Sequence, residues 1–180
     1  MRRWSLIVAS VLTLGALSGV AAYQGEQAAR GEAHWQEIAW SFPRDGWPAG
    51  RAFRCASCGE GVELYVRPKI GFCNCDTGVA DDEEVDRVAD LDLISERFAP
   101  LAPGKVIRVG TMSGRLRAYD LDLPGGVRHA AVGIAVSHRC DLMVAVAQGG
   151  AHADELQREA LQFLATSEMN QWMMAALGGR

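Results

Sequence analysis

Apolar positions recur along this chain at two spacings, two residues or three to four, and each spacing marks an element. Val62-Glu63-Leu64-Tyr65-Val66 alternates as a half-buried strand does. Arg67-Pro68-Lys69 reads as a turn, because proline removes a ladder donor. Residues 70–75 read as the returning strand, so the two form a predicted β-hairpin. A helix is predicted to open at Asp81-Asp82-Glu83-Glu84, where carboxylates oppose the positive end of the helix dipole. Its apolar face would be Val85, Val88, Leu91, Ile94 and Phe98, closed by Pro100 and Pro103.

Further strands are predicted at 106–109 and 115–123, with Met112-Ser113-Gly114 turning between them. Residues 130–136 and 142–147 are the most apolar strands, with Ser137-His138-Arg139 and Asp141 in the turn between them. Short loops imply antiparallel neighbours. Residues 154–164 form an amphipathic helix with Leu156, Ala160, Leu161, Phe163 and Leu164 inward. Ser167 is placed to cap a second helix over 168–177, with Met169, Trp172, Met173 and Ala176 on one face. The fold class is α+β: an antiparallel sheet with helices on one side. Trp35, Trp40, Phe42, Trp47 and Phe53 lie among prolines and glycines and read as an irregular segment whose rings peg into the core.

The first 22 residues stand apart. Arg2 and Arg3 precede an uncharged stretch over 4–22 that ends on Val20-Ala21-Ala22. A charged start, an apolar middle and small residues at the exit form the pattern of a secretory signal. The stretch is also nearly long enough to stay in a bilayer as an anchor. Either way the arginines stay inside and the rest of the chain goes out. Residues 23–34 read as a tether and 35–180 as one exported domain, periplasmic or secreted, held at the inner membrane if the anchor is retained. The chain of 180 residues carries a formal charge of −4, which becomes −6 without Arg2 and Arg3. No basic cluster occurs, so nucleic acid is an unsuitable partner. An envelope protein is the expected one.

In an oxidising compartment, paired cysteines default to disulfides. Cys55-Ala56-Ser57-Cys58 and Cys73-Asn74-Cys75 flank the predicted hairpin. Its register would set Val66 opposite Lys69, Val62 opposite Cys73 and Glu60 opposite Cys75. One reading joins Cys55 and Cys58 to Cys73 and Cys75 by two disulfides of open connectivity, leaving Cys140 as the free thiol. A second makes Cys55, Cys58, Cys73 and Cys75 a tetrathiolate zinc site. A third gives Cys73 and Cys75 to Cu(I) or thiol-redox chemistry.

The stretch Lys69-Ile70-Gly71-Phe72-Cys73-Asn74-Cys75 resembles the Cys-Phe-Cys site of the membrane-anchored copper chaperones of cytochrome oxidase assembly. Asn74 stands where that family has its aromatic. The resemblance implies a metal-binding role for Cys73 and Cys75. Most of the domain, with Phe72-Cys73-Asn74-Cys75 through Gly78-Val79-Ala80-Asp81-Asp82 its most distinctive part, is similar to a family of small exported bacterial proteins. That likeness implies export and no activity.

Other groupings have structural readings. Asp81-Asp82-Glu83-Glu84-Asp86 lacks the alternating ligands of a calcium loop and reads as a solvated helix start. Asp90 and Asp92, two apart on a helix, would not face each other and read as surface charge. His138 and Cys140 could form a dyad, but a turn histidine beside a buried thiol is the simpler account. No nucleophile elbow, phosphate loop or zinc-protease motif is present. The reading is therefore a non-enzymatic envelope domain braced by disulfides, with the copper, zinc or thiol-redox chaperone as its alternative.

Overall fold

A computed structural model describes residues 34–178 apart from Arg44 and Glu60. The expectations for the targeting segment and for most of the tether lie outside these residues. The strands are β1 (Trp35–Ile38), β2 (Arg51–Cys55), β3 (Glu63–Lys69), β4 (Phe98–Pro100), β5 (Lys105–Val109), β6 (Met112–Leu123), β7 (Val127–His138) and β8 (Asp141–Gly149). The helices are α1 (Asp82–Val88), α2 (Ala153–Leu164) and α3 (Ser167–Gly178), with a 3₁₀ turn at Leu91–Leu93. All eight strands join one antiparallel sheet in the order β1-β2-β3-β8-β7-β6-β4, and β5 pairs beside β4 on the outer side of β6.

The α+β class is as the pattern predicted, but the helices do not share one side. On one face Val132, Ile134 and Val136 of β7 and Met143, Ala145 and Ala147 of β8 pack beneath Leu156, Ala160 and Leu164 of α2 and Met169, Met173 and Leu177 of α3. On the other, Ala131, Ala135, Leu142, Val144 and Val146 meet Val85, Val88 and Leu91. A strand buried on both faces reads as an unbroken apolar run rather than an alternation, which is how β7 and β8 read.

The predicted hairpin does not form. β3 continues straight through Arg67-Pro68-Lys69, with β2 on one side and β8 on the other. Proline is tolerated because the β2 ladder ends at Val66, so the sheet is open beside Pro68. Residues 70–75 form no strand. The turn expected at 112–114 instead falls at Gly110 and Thr111, between β5 and β6. Gly110 has φ +58° there, and a side chain would collide with Asn170. Gly114 lies inside β6, where a Cβ would meet the Ala135 carbonyl at 2.0 Å.

α1 opens where its carboxylates predicted. Asp81 accepts the Glu84 amide at 2.9 Å, and Glu84 reaches back to the Ala80 amide at 3.0 Å, a reciprocal cap. The helix stops at Val88, well short of the predicted face. Asp90 takes the left-handed conformation, φ 59°, and Phe98 becomes a strand residue. At the C-terminal end the cap is one residue earlier than expected: the Met169 amide donates to Thr166 rather than to Ser167. Among the described residues no helix is long and apolar enough to cross a membrane.

Candidate functional site

The cysteines fall at the two ends of β3. β2 finishes on Cys55, which is buried at 3% exposure, and its amide donates to the Val62 carbonyl at 2.9 Å to close the link into β3. Cys55 and Cys58 are bonded to each other, Cα atoms 5.5 Å apart. The seven residues of β3 then span about 20 Å at ~3.3 Å each. Beyond them the loop carrying Cys73 and Cys75 crosses the tight turn between β7 and β8. Arg139 holds φ +58° in that turn, and Cys140 faces the loop. Cys75 is bonded to Cys140, with a Cα separation of 4.3 Å. Cys73 is buried and keeps its thiol.

The four hairpin cysteines are therefore not brought together. No bond joins the Cys55/Cys58 pair to the Cys73/Cys75 pair, and Cys140, expected to be free, is cross-linked. The predicted pairing depended on a hairpin that Pro68 does not turn. The sign of the true partner was Cys140 in the shortest turn between the two strongest strands. His138 lies opposite Asp141 across the same turn, as a turn histidine would.

Cys73 sits where three elements meet. Its amide donates to the Cys140 carbonyl at 3.1 Å. Burial pushes its thiol up from the ordinary range, the carboxylates of Glu84 and Asp141 push it further, and the Ser137 hydroxyl pulls the other way. The next residues are exposed, Cys75 included. Asn74 and Thr77 among them form one wall of an open acidic hollow of about 550 Å³, lined also by Phe72, Asp81, Glu83, Glu84 and Arg87. The carboxylates read as a solvated helix start are mostly engaged. Asp82 accepts the Gly104 amide at 2.8 Å and Arg115 at 2.6 Å, contacts that hold its carboxyl below the usual range. Asp86 accepts Arg117 and the Tyr119 hydroxyl, while burial, ahead of that bond, drives the Tyr119 phenol far upward.

A second polar constellation was not anticipated. Glu63, Tyr65, Arg67 and Lys69 alternate along β3 with Leu64, Val66 and Pro68. Glu63 accepts hydrogen bonds from Arg54, Tyr65 and Gln148. Burial works to raise its carboxyl, but the Tyr65 and Arg54 contacts prevail and hold it low. Arg67 and Lys69 are only 4% and 5% exposed. Arg67 makes a two-pronged contact with Asp90 at 2.6 and 2.7 Å and reaches Asp45 at 2.8 Å. Lys69 meets Asp90 at 2.6 Å and the Val88 carbonyl at 2.9 Å. The rings of Trp40 and Trp47 lie over these cations, 5.9 and 5.7 Å away. So Trp40 and Trp47 cover a charged row, only Phe53 and Trp35 of the five rings pack against the core, and Asp90, read as surface charge, is the largely buried centre of that row. Two cations against two carboxylates leave it balanced, a staple between β3, α1 and the aromatic segment. The alternation along β3 could have revealed this, but reading residues 67–69 as a turn concealed it.

No family model matches the chain, and no curated protein matches it. Among solved structures it is similar to the crystal structure of a protein of unknown function from Pseudomonas aeruginosa, with 10% sequence identity and a TM-score of 0.38, over 76% of this chain and 83% of that one.

Proposed function

We propose that this chain is an exported envelope domain, oxidised after it crosses the membrane, that serves as a rigid binding or assembly module for a protein partner in the periplasm. The observation that supports it is the pair of disulfides, Cys55–Cys58 and Cys75–Cys140. Such bonds persist in oxidising compartments and are rare in reducing ones. The targeting pattern over 1–22 accords with this. The acidic surface suits a partner with basic side chains. The reading assigns no catalysis to the domain.

Intact mass of protein taken from its native compartment, unfolded and alkylated with and without reductant, tests it. One alkylated cysteine before reduction and five after is the expected result. Five before reduction would end the reading. The same spectrum shows whether the first 22 residues are removed.

A second reading, a Cu(I) or zinc chaperone built on Cys73 and Cys75, is favoured by the approach of Cys140. After reduction it would add a third soft thiolate to that pair. Titrating the reduced domain with Cu(I) under a competing chelator should then show stoichiometric uptake that Cys75→Ser abolishes. No uptake would remove this reading.

A further inference from the structure

Three sulfur residues, not two, meet at the turn between β7 and β8. Cys140 is bonded to Cys75, while Cys73 donates its amide to the Cys140 carbonyl at 3.1 Å. A direct backbone hydrogen bond places two residues at roughly the 4.4–6.8 Å Cα separation that a disulfide spans. The Cys73 and Cys140 backbones are therefore close enough for a disulfide, once the Cys73 side chain, which lies against the Asn74 carbonyl, turns toward Cys140. A Cys73–Cys140 bond would close a loop only two residues longer than the 65-residue separation of the present bond. Loop entropy varies with the logarithm of length, so it does not discriminate between the two pairings. The two arrangements differ in which thiol remains. Cys73 is 8% exposed, and Cys75 lies on the surface of an open loop.

We propose that Cys73, Cys75 and Cys140 form an exchange set in which Cys140 changes partner, converting a domain with a hidden thiol into one that displays a reactive thiol at Cys75. Cys73 first gives its proton to solvent. Its thiolate sulfur bonds to the Cys140 sulfur as the Cys140–Cys75 bond breaks, and Cys75 leaves as a thiolate that takes a proton from solvent. One disulfide and one thiol are present before and after, so no outside oxidant or reductant is needed. The displayed Cys75 thiolate can attack a disulfide of a partner protein, forming a mixed disulfide as the partner's other cysteine leaves as a thiolate. The inference rests on the Cys75–Cys140 bond of the reading above.

The rate is set by the thiolate fraction at Cys73. The groups facing it are Glu84 of α1, Asp141 at the head of β8 and the Ser137 hydroxyl of β7. Both carboxylates and the burial keep it protonated, so the domain exchanges slowly near neutrality and faster as the pH rises.

The test is a pulse of iodoacetamide on the folded, unreduced protein at pH 6, 7 and 8. The pulse is quenched in acid, and peptic digestion at low pH then preserves the linkages for mapping. The label is expected on Cys75, together with a Cys73–Cys140 linked peptide, at a rate rising about tenfold per pH unit. Cys73→Ala should suppress that label at least tenfold while keeping Cys75–Cys140. Label confined to Cys73, or an unlabelled protein whose Cys140 is linked to Cys75 throughout at pH 8, would overturn the exchange and leave the disulfide-braced reading standing. A map with Cys140 linked to neither cysteine would overturn both.

Discussion

Cys140→Ala is expected to destabilise the oxidised domain by about 4 kcal/mol. The Cys75–Cys140 bond joins residues 65 apart, and on the chain-entropy model a cross-link over that length restricts the unfolded chain by about that much. This is a large part of the ~5–15 kcal/mol that holds a typical domain together. The bond also ties the loop after β3 to the turn between the two central strands, so its loss frees the wall of the acidic hollow. Cys55→Ala removes a bond across a separation of three and should cost only about 2 kcal/mol on the same model. Urea unfolding without reductant measures both. Free energies extrapolated to water are the quantities to compare, since removing a cross-link expands the unfolded chain and alters the slope. Equal losses in the two variants would show that the long bond does not act by restraining the unfolded chain. Cys75→Ser should fall well short of Cys140→Ala, because Cys73 is left to pair with Cys140.

Asp90→Ala is expected to cost about 3–5 kcal/mol, since removing one partner of a buried charge set leaves the others uncompensated. Arg67 and Lys69, 4% and 5% exposed, would lose Asp90, leaving Arg67 with the partly exposed Asp45 and Lys69 with the Val88 carbonyl. Alanine also tolerates φ 59° less well than aspartate, which adds about 1 kcal/mol. Asp90→Asn separates the two effects, because asparagine accepts the left-handed backbone readily while losing the charge. Chemical unfolding at neutral pH should place Asp90→Asn within about 1 kcal/mol of Asp90→Ala. An asparagine variant as stable as the parent chain would mean that the carboxylate is not what holds the two cations.

These two expectations turn on features that the linear pattern treated unequally. The strands β6, β7 and β8 and the helices α2 and α3 were legible because their apolar spacing is strong and long. Leu156, Ala160 and Leu164 face inward as the helical period requires. β1 and β2 were not legible, since four or five residues crowded with turn formers carry too little period to separate strand from loop. α1 opened where its carboxylates said it would, but it ended early. A tertiary contact, Asp90 with Arg67 and Lys69, drew the chain into a left-handed residue that no local preference required.

The sequence pointed to the cysteines as the residues that matter, because an export pattern and close sulfur spacing are both local properties. It could not choose their partners, since a disulfide forms between whichever residues the fold brings together. Reading Pro68 as a turn sent Cys73 and Cys75 back toward Cys55 and Cys58, and the continuous β3 carried them about 20 Å away to Cys140 instead.

Residue order alone thus determined the α+β class, the most apolar strands and the two C-terminal helices, because each depends on neighbours within a few positions. Tertiary structure decided the covering of both sheet faces, the buried charged row on β3 and the choice of Cys140 over Cys55 and Cys58. Those depend on which distant segments share a strand edge or a turn, a relation that spacing along the chain does not encode.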